Sequence, residues 1–138
     1  MSARPLRITE FSGAIIRSYT VKASSTATKG KAAKLDGSGA VLDIAAVSDN
    51  AIGIFLDTGA AGDVVRVALW GAGVVPVLVG TGGATEGAPL KYVSDGATTA
   101  TIGGGTVKQI IVGQCLETGV AGDLVGCNLG CFGWSVSA

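Results

Sequence analysis

From Val64 to Trp70 the chain alternates, with Val65, Val67 and Leu69 on one side of an extended backbone and Val64, Arg66 and Ala68 on the other. That period of two is the mark of a strand with a buried face. Ala40 to Ile44, Gly53 to Leu56 and Val74 to Val79 are short apolar runs bounded by turn residues, and each predicts a further strand. Pro76 has no amide hydrogen to give a ladder, so its strand belongs at an edge or a bulge. Asp36-Gly37 and Asp95-Gly96 predict hairpin turns, and Gly59 and Gly62 predict left-handed backbone in the loop they flank. Gly80-Thr-Gly-Gly and Gly103-Gly-Gly read as loops. The chain ends with Cys131 to Val136, where Phe132 and Trp134 stand two residues apart and so share a face if the segment is extended. No stretch carries helical periodicity, although Ala23 to Ala33 is ambiguous. The pattern predicts an all-β fold, a small antiparallel barrel or sandwich.

One segment occurs twice. Gly53 to Leu69 (GIFLDTGAAGDVVRVAL) aligns without a gap on Gly113 to Leu129 (GQCLETGVAGDLVGCNL) at an offset of 60 residues. The identical pairs include Gly53/Gly113, Thr58/Thr118, Gly59/Gly119, Gly62/Gly122, Asp63/Asp123 and Val65/Val125. Two copies of one β unit is the simplest account. We place them at about 30–71 and 88–130, in a single β domain over 23–138 that follows an extended N-terminal arm, 1–22.

Composition adds a surface argument. Of 138 residues, 23 are glycine and only 14% are charged, while mean hydropathy is +0.54 and net charge is zero. Disordered chains are charged and poor in β-branched residues, and a free soluble domain carries more charge than this. Much of the outside is therefore expected to be covered by other copies or by a larger partner. The zero net charge hides an asymmetry: residues 1–34 hold seven bases against one acid, a net of +6, and the remainder balances it at −6. Such a dipole suits head-to-tail contact or an acidic partner. The arm lacks the interleaved aromatics of a single-strand binder and the body is acidic, so no nucleic-acid partner is expected. The apolar run after Val67 is broken by Gly71, Gly73 and Pro76, which argues against a membrane span. Arg4, Arg7 and Glu10 stand where an export signal would be apolar, so synthesis and assembly are expected in the cytoplasm.

Candidate chemistry is sparse. The chain has no histidine, which removes Ser-His and Cys-His nucleophile pairs. Cys115, Cys127 and Cys131 lack zinc-ligand spacing and a fourth ligand, and are expected as buried apolar thiols. No metal, cofactor or catalytic residue is expected. One rival stands out, because Phe55-Leu56-Asp57-Thr58-Gly59-Ala60 resembles the active-site signature of retroviral-type aspartic proteases, in which two aspartates from a dimer share a proton. The pattern recurs as Glu117-Thr118-Gly119, and both copies run on into Ala-Gly-Asp, so it reads as a repeated turn.

The order of Lys34-Leu35-Asp36-Gly37, Ile52-Gly53-Ile54, Ala60-Ala-Gly-Asp-Val-Val-Arg-Val-Ala-Leu69 and Gly113…Leu116-Glu117…Ala121-Gly-Asp-Leu-Val125 resembles the capsid cement, or decoration, proteins of tailed bacteriophages. The similarity spans roughly residues 20–130. It implies a β-rich virion protein on the outer surface of the head, commonly a homotrimer at three-fold positions, that clamps adjacent capsomers of the major capsid protein. A tail or fibre component is the alternative of the same class. The residues expected at interfaces are Arg4, Arg7, Phe11 and Arg17 of the arm, meeting carboxylates or apolar surface, and the aromatic anchors Trp70, Phe132 and Trp134. Each ring has the alternative of filling the core or plugging a barrel end.

Overall fold

A computed structural model of the protein describes residues 15–43, 50–101, 108–129 and 134–136. All regular structure among them is β. Seven strands come from the first half: β1 (Ile16–Thr20), β2 (Thr26–Ala27), β3 (Ala32–Leu35), β4 (Val41–Asp43), β5 (Gly53–Phe55), β6 (Gly59–Ala60) and β7 (Val64–Leu69). Six come from the second: β8 (Gly73–Leu78), β9 (Pro89–Val93), β10 (Gly96–Thr99), β11 (Lys108–Cys115), β12 (Leu124–Leu129) and β13 (Trp134–Val136). They form an antiparallel sheet in the order β1-β7-β5-β3-β4, a second in the order β8-β12-β11-β9-β10 with β13 paired to β11, and the small β2-β6 pair. Ala23 to Ala33, ambiguous in sequence, holds β2 and the start of β3.

The two large sheets are the same structure twice. Ile16↔Ala68↔Ile54↔Ala32 is a row of cross-strand partners in the first sheet, and Val74↔Asn128↔Gln114↔Pro89 is the matching row in the second. The β2-β6 contact at Ala27↔Gly59 recurs as Ala84↔Gly119. Single parallel bridges, Val21↔Val41 and Val79↔Ala97, bring the two edges of each sheet together at one end, so each sheet curls around an interior. The repeat thus runs from β1 to β7 and from β8 to β12, longer than the 30–71 and 88–130 read from sequence. The strand expected between the units is the first strand of the second. Residues 16–22, expected in the arm, include β1, which pairs with β7, and Val21, which is buried; residues 1–14 lie outside the described residues.

Each copy has its own apolar interior, filled from equivalent positions. The first holds Val21, Ala27, Ala33, Val41, Phe55, Val65 and Val67. The second holds Val79, Ala84, Leu90, Ala97, Cys115, Val125 and Cys127 in the same places. Cys115 stands where the first copy has Phe55, and the second interior carries its ring on β9 instead, in buried Tyr92, whose counterpart Leu35 is 44% exposed. The second cluster also takes in Ala32, Ile54 and Ala68 from the opposite face of the first sheet. That row is apolar and buried because the second copy packs there. The matching row in the second copy has Gln114 and Asn128, both exposed.

Two glycine pairs explain the strongest sequence identities. A Cβ at Gly53 would land on the carbonyl oxygen of Ala68, and one at Gly113 on that of Asn128, so neither strand could lie this close to its neighbour with a side chain there. Gly62 and Gly122 have φ of +90° and +97°, the left-handed turn conformation that a side chain opposes. Gly59, expected to share it, is instead extended in β6, and its Cβ would meet Val65 Cγ1 at 2.8 Å. Pro76 behaves as its sequence predicts, on the edge strand β8.

Candidate functional site

The duplicated Asp/Glu-Thr-Gly-x-Ala-Gly-Asp segment concentrates matched polar chemistry in both copies, and each of its polar side chains binds backbone. Asp63 Oδ2 accepts from the Ala60 N–H at 2.8 Å, and Asp123 Oδ2 from the Val120 N–H at 2.9 Å. Thr58 Oγ1 accepts from Lys29 N–H and Thr118 Oγ1 from Glu86 N–H, both at 3.1 Å. Asp57 Oδ2 accepts from the Arg66 N–H at 2.9 Å, and Glu117 Oε1 from the Gly126 N–H at 2.7 Å. The segment is a brace that ties the β5-β6 corner to the start of β7, repeated in the second copy.

Asp57 carries an added partner. The Arg66 guanidinium donates Nη2 to Oδ1 at 2.8 Å and Nε to Oδ2 at 3.0 Å, a two-point clasp. These bonds, with the Arg66 N–H, hold the Asp57 carboxyl down at about 2. A protease aspartate must share a proton with its mate; here both oxygens are occupied by a cation and a backbone amide. A depressed carboxyl contributes stability that is full above its unfolded value of 3.8 and is lost as pH falls through about 2. The second copy has Gly126 in place of Arg66 and keeps the brace, so the clasp is an accessory. Arg66→Ala is therefore expected to lower Tm by no more than about 3 °C at neutral pH, with the difference from wild type vanishing between pH 4 and 2, as measured by thermal melts across that range.

Of the residues expected at interfaces, Arg17 lies on β1 opposite Val67 and is exposed. Trp70 follows β7 at the junction of the two copies, partly buried against the second interior and stacked on Tyr92 with centroids 6.2 Å apart. Its ring is engaged within the chain. Arg4, Arg7, Phe11 and Phe132 lie outside the described residues, and Trp134 opens β13, which pairs Ile110 with Trp134. Cys115 and Cys127 face each other across β11 and β12 as buried free thiols; burial pushes Cys127 up to about 12, which disfavours the thiolate form. Cys131 is outside the described residues. Among the described residues no group of three or more Cys, Asp or Glu could hold a metal ion.

Sequence reasoning missed β1. Its residues Ile-Arg-Ser-Tyr-Thr contain Arg17 and precede Lys22, which merges them with the basic N-terminal stretch, and they share no identity with their counterparts Val-Val-Pro-Val-Leu in β8. Exposed apolar side chains recur at matching places, Ile16 with Val74 and Val64 with Leu124. No family model matches the sequence, and no curated protein matches it.

Proposed function

We propose that the chain is a structural protein of a phage virion that binds the outer surface of the head and stabilises it by bridging adjacent capsomers. The single observation that carries this reading is the brace. The only motif resembling a catalytic signature is spent, in both copies, on holding backbone in place. What remains is a twofold repetition of β sheets in a chain with only 14% charged residues, a composition suited to adhesion. The likeness to capsid cement proteins supplies the particular partner, the major capsid protein.

The physical task is to resist the outward pressure of packaged DNA. A clamp does so by burying surface across the joint between capsomers, and a specific interface buries about 800 Å² on each side. The basic N-terminal segment, with Arg4 and Arg7, is the proposed contact with carboxylates of the shell, and Arg17 lies at its root on exposed β1. Deleting residues 2–12 removes the segment without touching any described strand. The deletion variant is expected to melt like the full chain and to cosediment with purified heads at least tenfold more weakly at low salt, with the difference shrinking as added salt screens the contact. Undiminished occupancy on heads would refute the role of the segment.

A further inference from the structure

The two copies are joined by a contact that uses an edge and a carbonyl. The Leu78 N–H of edge strand β8 points away from its sheet and donates to the Gly30 carbonyl of the first copy at 2.9 Å. The matching groups for a next copy are the Gly87 carbonyl on one side and the Thr20 N–H on the other. The first is closed off, because Gln114 Nε2 donates to the Gly87 carbonyl at 3.1 Å. The second is not.

The backbone of β1 shows how open it is. Ile15 and Val21 bond toward β7, through Leu69 N–H to Ile15 O and Val21 N–H to Asp63 O. By the alternation of an antiparallel strand, Ile16, Ser18 and Thr20 present their N–H and C=O groups to the other side. No backbone bond to these outward groups occurs among the described residues, and all three residues are exposed. In the second copy the same edge is protected twice, by the Gly30 contact and by Pro76, which stands at the position of Ser18 and has no N–H to offer. An exposed, proline-free edge is a template for another strand.

We propose that β1 pairs antiparallel with β1 of a second copy of this chain about a two-fold axis at Ser18. The register is self-consistent, since outward groups meet outward groups: Ser18 bonds its own mate, and Ile16 bonds Thr20 of the second copy. Arg17 then lies opposite Tyr19 of the second copy as a non-hydrogen-bonded pair, the closer kind, in reach of a cation–π contact. No like charges stand directly opposite. The union is isologous and closes with two chains. It does not depend on what else the protein binds.

Ser18→Pro tests this, and the protein supplies its own control. The substitution removes an outward N–H that bonds nothing among the described residues, and Pro76 shows that the matching sheet accepts proline at the equivalent position. The wild type is expected to have the mass of two chains by light scattering at micromolar concentration, with slow hydrogen exchange at the Ser18 and Thr20 amides. Ser18→Pro is expected to keep the wild-type circular dichroism and to have the mass of one chain, with the Thr20 amide exchanging freely. A single-chain mass for the wild type at every concentration overturns the proposal and leaves the edge to a different protein. So does a three-chain mass, or a Ser18→Pro protein that folds and keeps the wild-type mass. Head binding is measured separately, so failure here is distinct from failure of the capsid reading.

Discussion

Replacing Gly53 by alanine is expected to destabilise the protein severely. The added methyl would sit on the Ala68 carbonyl oxygen and within 2.9 Å of Leu69 Cα. Both are backbone atoms of β7, the strand that joins β1 to the rest of the first sheet, so nothing flexible can give way. Relief requires prising β5 from β7 and with it the burial of Phe55 and Ile54, both 0% exposed. We expect a loss of at least about 4 kcal/mol, a large share of the 5–15 kcal/mol that domains of this kind possess. Gly113→Ala should behave alike, since it meets the Asn128 carbonyl oxygen and Cys127 Sγ. Gly126→Ala is the control: its nearest neighbours, at 3.5 and 3.6 Å, are side-chain atoms at ordinary contact distance, and the first copy carries arginine there. It should lie within about 1 kcal/mol of wild type. Urea melts of the three variants provide the comparison.

Ile54→Gln is expected to separate the two copies energetically. It converts the centre of the row Ile16-Ala68-Ile54-Ala32 into the residue found at the matching place in the second copy, Gln114. At the surface that glutamine is harmless. Under the second copy it loses the buried isoleucine contacts and strands an amide without water, and we expect a loss of about 3–5 kcal/mol. Gln114→Ala, an exposed change at the equivalent position, should stay within about 0.5 kcal/mol. A pair of equal effects would contradict the assignment of this row as the joint between copies.

These contrasts explain what the sequence disclosed. The last part of each unit was legible because its identities serve particular atoms: Gly53 and Gly113 make room for a neighbour's carbonyl, Gly62 and Gly122 turn left-handed, and Asp63 and Asp123 close the same turn. The first strands of the units were not, since backbone pairing imposes only alternation and tolerates Ile-Arg-Ser-Tyr-Thr in one copy and Val-Val-Pro-Val-Leu in the other. The hairpins at Asp36-Gly37 and Asp95-Gly96 were legible for their turn chemistry. They nonetheless close differently: residues 36–40 connect β3 to β4, whereas only Ser94 and Asp95 separate β9 from β10. Trp70 carried no sign that Tyr92 would come to stack on it, because that contact depends on how one copy docks on the other. Arg17 was singled out for its charge, and its place on an open edge emerged only from comparing β1 with β8.

The proposal that this is an adhesive shell protein meets its most direct test in an image of the assembled particle. Electron cryomicroscopy of heads purified from cells producing the virus should show density for the two curled sheets at regularly repeated positions on the outer surface, spanning joints between capsomers, and absent from heads that lack this chain. Heads of unchanged appearance and unchanged resistance to heat in its absence, with the protein left in the soluble fraction, would contradict it.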